Sequence, residues 1–439
     1  MASTKLTRTP ASNGNSKTWT WSAWVKLSEA NTEFVLFHNF GATTSDEVYA
    51  KIGGSDGTIE FALRYGGTYE GRLITNRKFR DVSGWYNFVF VCDTPNATAG
   101  DRQRIYVNGV EETSFSTDTQ IAQDAGTVYN QTYEHTIGSY GSGNYFNGVM
   151  SHINAIDGTA YDSSYFGSTD TTTGEWEINT SPSVTYGTNG YFILKNGNSV
   201  TDQSGNANNW TVASGTLTNT EDCPSNVFST MNYLIRSSNG TYASGSNKFT
   251  TSGGAWGSGF GTLGMFNGQG KYYMEFKGAS GTKIGYGISD VKDAGVIQRT
   301  EAGENRYCGE YANSYAYHYG GNFYYSGSST STGYDSFTSS DVIGMAVDMD
   351  NLKIYFHKNG TYQDSKNPAS NDGYTIVAPE GTYLPTICVE DAGAAANFGN
   401  GVFDTTAISS EGTNASGIGK FEYDVPTGYT ALSTKGLNE

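Results

Sequence analysis

Bulky apolar residues alternate with small polar ones along most of the chain, and the alternation has a period of two. Over residues 19–26, Trp19, Trp21, Ala23 and Val25 share one side of an extended chain, while Thr20, Ser22 and Lys26 share the other. Successive side chains of a strand point to opposite faces, so this pattern predicts a half-buried β-strand. The run WYNFVFVC at residues 85–92 is apolar on both faces, which predicts a central strand covered on each side. Residues 104–115 read as a hairpin: RIYV, then Asn108-Gly109, then VEETSF. Asn-Gly suits a type I′ turn, whose two central residues both need positive φ.

The same grammar returns in the second half. Tyr272, Met274 and Phe276 alternate, as do Ile284, Tyr286 and Ile288. Ile343, Met345, Val347 and Met349 form a third apolar face, followed by KIYFHKNG with Asn359-Gly360 at a second hairpin tip. Helical periodicity is almost absent. Short alternating strands with frequent turns predict an all-β chain of two tandem antiparallel β-sandwiches. The polar stretch over residues 169–232 carries few strand signals, YFIL at 191–194 being the clearest. It also carries Trp176, Tyr191, Phe192 and Trp210, which a flexible linker would not, so it predicts a packed connector. The expected organisation is a sandwich over 1–168, a connector over 169–235, a second sandwich over 236–405 and a tail over 406–439. The run KFEYDV at 420–425 is a candidate final strand.

Composition sharpens this picture. Hydrophobic residues are only 36% of the 439, but 32 Tyr and 22 Phe supply large buried areas, so the core is expected to be aromatic. The 43 acidic residues outnumber the 26 basic ones. A surface that tracks phosphates needs the opposite excess, so nucleic acid is a poor partner, as is an anionic membrane. No apolar stretch is long enough to span a bilayer, and the first residues carry no apolar signal core. Cys92, Cys223, Cys308 and Cys388 are far apart and form no C-x-x-C pair; with Cys92 and Cys388 ending apolar strands, no disulfide framework is expected.

Two blocks resemble known families. WTWSAWVK, WYNFVFVCD, RIYVNGVE and IGSYGSGNYFNGVMSHINAIDG make the first region similar to laminin-G-like modules of the concanavalin type. GKYYMEFK, KIGYGISD, SDVIGMAVDMDNLKIYFHKNG and YLPTICVEDAGAAANFG make the second similar to SPRY modules. Both resemblances imply two stacked antiparallel sheets in a jelly-roll arrangement. YFGSTDTTTGEWEI, TYGTNGYFIL, TDQSGNANNWTV, DCPSNVFSTMNYL and PTGYTALSTKGL resemble segments that recur in structural proteins of tailed phages, marine ones especially. That resemblance implies a virion component.

Candidate chemistry is sparse. Gly53-Gly54-Ser55-Asp56-Gly57 fits G-x-S-x-G, but the adjoining TIEFALRY alternates like a strand where a nucleophile elbow needs a helix. The Glu-x-Asp-x-x-Glu strand of concanavalin-type glycosidases is missing, Glu422-Tyr423-Asp424 lacking a third acid. The five histidines have no i, i+4 pairing and no Cys neighbours. No catalytic residue is expected. Laminin-G-like modules often bind calcium through loop oxygens, and Asp202, Asn206 and Asn208 are the candidate ligands; an Asx-rich turn bonding its own backbone is the competing reading. No cofactor is required. Tyr307, Tyr311, Tyr315, Tyr317 and Tyr319 form a string of rings suited to sugar stacking, with core packing as the alternative, and residues 326–337 are a candidate exposed tip.

The expectation is therefore a phage virion surface protein, a tail fibre or adhesion protein that attaches to a host through protein or glycan binding. A capsid-surface decoration protein or head fibre is the second reading, and a lectin-like module or glycosidase the third. The expected partners are other virion proteins, a host cell-surface glycan or protein, and further copies of the chain, trimers being common among fibres. Multivalent attachment lets weak single contacts sum.

Overall fold

The computed structural model describes residues 3–30, 32–53, 56–291, 307–310, 312–330 and 333–438. Its regular secondary structure is almost entirely strand, with only single turns of 3-10 helix among the described residues. None of these is long and apolar enough to cross a membrane. The chain divides into two compact units, Met1–Leu217 and Thr218–Glu439.

The first unit is a sandwich of an eight-stranded and a six-stranded sheet. In the six-stranded sheet, Thr18–Leu27 lies between Gly148–Asp157 and Tyr86–Asp93, all antiparallel. The inward side of Thr18–Leu27 meets the facing sheet through rings. Trp21 and Phe37 have centroids 4.8 Å apart, Trp19 and Tyr129 4.4 Å, and Phe61 and Phe90 5.3 Å. Offset and edge-on geometry suits the ring quadrupoles, and it lets an aliphatic-poor chain fill its interior. The hairpin tip behaves as its sequence requires, with Asn108 and Gly109 at φ 47° and 82°. The second tip repeats this, with Asn359 and Gly360 at 48° and 84°.

Thr20, Ser22 and Lys26, the polar side of that strand, are buried as well. The cause is the last stretch of the expected first sandwich together with the segment expected to be a connector. The first part of this run covers the outer face of the six-stranded sheet, packing Tyr161, Val184 and Tyr186 over Val89, Val91, Ile156 and Phe166. Thr20 Oγ1 donates to the Thr159 carbonyl at 3.0 Å and accepts from the Tyr161 amide at 2.9 Å. The same segment adds an edge strand to each sheet, Tyr191–Ile193 beside Gly148–Asp157 and Thr211–Ser214 beside Lys5–Arg8. The Trp176 ring lies over Gly109, where a Cβ would stand 2.4 Å from it, and its Nε1 donates to Asn87 Oδ1 at 3.2 Å. The expected connector is thus shared out: residues up to 217 belong to the first unit and the rest to the second.

The second unit stacks a seven-stranded sheet on a nine-stranded one. Tyr272, Met274, Phe276, Ile284, Tyr286, Ile288, Ile343, Met345, Val347 and Met349 all enter one core, as the period-two pattern requires. The outer side of Lys271–Ser280 and Val342–Asp348 is covered too. Phe228 from before the sandwich and Phe421, Val425 and Tyr429 from the tail pack on Tyr273, Ala346 and Tyr355. KFEYDV is not a strand; the last strand is Thr430–Ala431, which pairs in parallel with Tyr272 and Tyr273.

One buried carboxylate anchors that tail. Glu275 Oε2 accepts from the Glu422 amide at 2.8 Å and from Asn397 Nδ2 at 3.2 Å. Its Oε1 accepts from the Tyr423 amide at 2.8 Å and the Tyr273 hydroxyl at 3.0 Å. Burial pushes this carboxyl up to about 7, the four donors opposing the rise.

Candidate functional site

The outer face of the eight-stranded sheet in the first unit is where charged side chains converge. Its central strands are Phe34–Phe40, Glu47–Gly53, Thr58–Tyr65 and Thr68–Lys78. The register places Glu47 opposite Arg64 and Lys51 opposite Glu60. Alternation then puts Glu47, Tyr49 and Lys51 on the same outward side while Val48, Ala50 and Ile52 fill the core.

Two carboxylate hubs result. Glu47, 1% exposed, takes the Tyr140 hydroxyl at 2.7 Å and His38 Nε2 at 3.3 Å on Oε2, and Arg64 Nη1 on Oε1. Glu60 accepts the Tyr49 hydroxyl at 2.7 Å and Arg72 Nε at 2.8 Å on Oε1, with Lys51 Nζ 3.5 Å from Oε2. Lys51 also donates to Glu33 at 3.0 Å. Tyr69 joins the hubs: its hydroxyl is 3.3 Å from that of Tyr49, and the guanidinium carbons of Arg64 and Arg72 lie 5.0 and 4.3 Å from its ring centroid. Such cation–π contacts hold the ring without enclosing it, and Tyr69, Tyr140 and Phe40 remain half-exposed.

The electrostatics arise from these contacts. Burial pushes the Glu47 carboxyl up, but bonds from His38, Tyr140 and Arg64 outweigh it and hold the group below the usual carboxylate range. Glu60 is likewise raised by burial and brought below its ordinary value by Arg72, Tyr49 and Lys51. Burial and the neighbouring carboxylates raise the Tyr49 and Tyr140 phenols, keeping them protonated donors. The face thus sets Glu33, Glu47 and Glu60 against Lys51, Arg64 and Arg72.

The expected tyrosine site is dispersed. Tyr315 and Tyr317, 6% and 0% exposed, point into the core, with Tyr317 edge-on to Phe337 at 4.9 Å. Strand alternation within Ser314–His318 sends Ala316 and His318 outward instead, so stacking on a sugar is denied to both rings. Tyr319 packs at the margin of that core. Tyr307 lies on the opposite face of the sheet, its ring 5.9 Å from Trp256, 5.3 Å from His318 and 5.2 Å from Tyr324. Tyr311 lies outside the described residues. Of the candidate tip, residues 326–329 are exposed, but Tyr334 and Phe337 are buried.

The structure does bring Asp202, Asn206 and Asn208 together, but the Asp202 carboxylate and the Asn208 amide are already engaged. Asp202 Oδ1 accepts from the Phe192 and Ser204 amides at 2.8 and 2.9 Å, and Oδ2 from the Ser204 hydroxyl and the Asn208 amide, both at 2.8 Å. Asn206 Nδ2 and Asn208 Nδ2 both donate to the Gly190 carbonyl, at 3.0 and 2.8 Å. Asn208 Oδ1 accepts from the guanidinium of Arg8, so this chain supplies its own cation beside the loop. The Asp202 and Asn208 oxygens do not fit a calcium ion, because each already accepts from donors of this chain. Calcium in the millimolar range is expected to leave the melting temperature of the first unit unchanged, and a concentration-dependent rise would show that the loop opens to the ion. Among the described residues, no three His, Cys, Asp or Glu side chains are grouped to hold a metal ion. Ser55 of the G-x-S-x-G string lies outside the described residues; the next element along the chain is the strand Thr58–Tyr65, not the helix of a nucleophile elbow.

The charged face is absent from the expected sites, although the sequence carries its signal. In EVYAKIG and TIEFALRY, period two puts Glu47 with Lys51 and Glu60 with Arg64 on one side of each strand; which charges face one another comes from the register.

Comparison with known proteins finds one family match in each unit. Residues 2–162 match the family model of the concanavalin A-like lectin/glucanases superfamily, in its laminin-G group. Residues 271–401 match the SPRY domain. Concanavalin-like and SPRY domains are therefore both present. No curated protein matches the chain. Among solved structures, a human SPRY domain shares 18% identity at a TM-score of 0.26, covering 34% of this chain and 90% of its own. The SPRY domain of human HERC1 shares 16% at 0.29, covering 38% and 96%.

Proposed function

We propose that this chain is a non-catalytic attachment protein on the surface of a phage virion, holding a host glycan or protein on the outer face of its first sandwich. The observation that carries this reading is the face itself. Half-exposed rings stand among fixed charges that hydrogen bonds hold in place before any ligand arrives, and preorganisation of this kind lowers the cost of binding. Both hub carboxylates are ionised. Cleavage of a glycosidic bond needs one carboxyl protonated at the working pH, so binding without turnover suits these groups better. The virion assignment is supported by the phage-like segments in the sequence, YFGSTDTTTGEWEI and PTGYTALSTKGL among them.

The test uses the full chain, fluorescently labelled, against bacterial envelopes and arrayed bacterial polysaccharides. Wild-type protein is expected to bind, and Tyr69→Ala to lose about tenfold in affinity, roughly 1.4 kcal/mol, with its melting temperature little changed. Equal binding by both proteins would overturn the assignment of the face, and release of soluble sugar would overturn the absence of catalysis. Co-purification with DNA-filled heads that lack tails would place the chain on the capsid as a decoration protein.

A further inference from the structure

Cys308 and Cys388 are 80 positions apart in sequence, yet the seven-stranded sheet of the second unit brings them together. Cys388 lies in Tyr383–Glu390, and Gly285 of the neighbouring strand pairs with it on one side and with His318 on the other. Gly285 has no side chain on the outer face; a Cβ there would stand 2.8 Å from both Cys388 Sγ and His318 Nε2. Cys308 lies beside them, its thiol donating to the Gly285 carbonyl at 3.6 Å. Cys308, Ala316 and Cys388 form one buried cluster beneath Trp256 and Tyr307.

His318 locks the Cys308 backbone in place. Its Nε2 lies 2.8 Å from the Cys308 carbonyl oxygen and 4.0 Å from Cys388 Sγ. Both cysteines are free and fully buried, and their side chains share one cluster around Gly285 and His318. Two thiols gathered in one buried cluster, on segments fixed by a strand register and a histidine, are placed for a covalent bond between them. The other two cysteines have no such neighbour among the described residues: Cys92 contacts the Lys17 carbonyl and Cys223 the Ser225 hydroxyl.

We propose that Cys308 and Cys388 form a disulfide when the protein meets a small peroxide oxidant, clamping the Tyr307–Cys308 turn to the sheet. Although burial opposes ionisation, the neighbouring Cys308 and His318 hold the Cys388 thiol below its ordinary value, while Cys308 is held above its own. The two sulfurs thus divide into a nucleophile and a proton-bearing resolving thiol. The Cys388 thiolate attacks one oxygen of hydrogen peroxide; an S–O bond forms, the O–O bond breaks, and hydroxide leaves to be protonated to water. The Cys308 sulfur then attacks the sulfenic sulfur of Cys388; the S–S bond forms, the S–O bond breaks, and the departing hydroxyl takes the Cys308 proton as a second water. Two thiols and one peroxide give one disulfide and two waters, with two electrons passing from sulfur to peroxide. This reaction is independent of the attachment reading, and its test involves no ligand.

The test is a non-reducing peptide map of the full chain, purified under reducing conditions and exposed to graded hydrogen peroxide. A linked peptide pair holding residues 308 and 388 is expected, with the thiols titrated in denaturant falling from four to two. The melting temperature should rise by several degrees in the oxidised form and fall back with dithiothreitol. Cys308→Ser or Cys388→Ser should abolish the linked pair and the thermal shift, and Cys92→Ser should not. Four free thiols at every peroxide level would overturn the proposal. So would oxidation confined to sulfinic acid, or a linkage through Cys223. The wild-type map decides this even if a serine variant fails to fold.

Discussion

Glu47→Ala is expected to destabilise the first unit by about 3 kcal/mol, near the lower end for removing one partner of a buried charged pair. Glu47 is the shared acceptor of Arg64, Tyr140 and His38. Its loss leaves those donors in unequal positions. The Arg64 side chain is 25% exposed and can turn to water, whereas the His38 side chain is fully enclosed. The cost therefore comes chiefly from polar groups stranded on the sheet, not from the ion pair as such. Arg64→Ala alone should cost about 1 kcal/mol, close to what a partly exposed pair contributes. The double variant should cost little more than Glu47→Ala, because the two changes remove one shared contact. Urea unfolding of the four proteins measures this directly. A cost for Glu47→Ala below about 0.5 kcal/mol, as at an ordinary surface site, would mean that the face is merely solvated charge, and the preorganisation invoked for binding would go with it.

That hub also shows where sequence reading stops. Period-two alternation is enough to place Ile343, Met345 and Val347 in a core and to set Asn108-Gly109 and Asn359-Gly360 at hairpin tips, because these depend on neighbours along the chain. It does not decide which side of a strand stays wet. Thr20 and Ser22 sit on the polar side of their strand, but residues 158–186 return to cover it, and that contact spans more than 130 positions. Tyr315 and Tyr317 are open to either face in the sequence, since Ser314–His318 is flanked by tyrosines and the phase of its alternation is fixed only by pairing with Lys283–Asp290. Glu47 and Arg64 look like unrelated surface charges until the strands they occupy are put in register. Cys308 and Cys388 meet for the same reason, through the pairing partners of Gly285. In each case the local period is legible and the long-range register is not.

The stability of the second unit is expected to fall as pH rises from about 4.5 to about 7, by an amount on the order of 3 kcal/mol traceable to Glu275. Its carboxyl has an ordinary value of 4.5 and is pushed up to about 7 by burial in the fold. Between those limits the native state binds a proton that the unfolded chain releases, so the native state loses ground with each step toward neutral pH. Above 7 both states are ionised and the contribution is flat. The groups facing Glu275 are Tyr273, Asn397, the backbone at Glu422 and Tyr423, and, one ring further, His357, whose Nε2 is 2.6 Å from the Tyr273 hydroxyl. His357 is depressed by burial to about 4, so its own contribution has the opposite slope, rising as pH goes from about 4 to 6.5. The measurement must therefore be a difference. Wild type and Glu275→Gln are unfolded in urea at intervals from pH 4.5 to 8, and the histidine contributions common to both cancel. Glutamine keeps an oxygen for one tail amide but turns an amino group toward the other, so the variant should be uniformly weaker in holding residues 422–423 and should lack the wild-type slope. Parallel profiles would show that the carboxylate keeps its ordinary proton affinity beneath the tail. In that event four donors, two of them tail amides, outweigh the cost of enclosing the charge, and Glu275 anchors the tail equally well at every pH above its ordinary range.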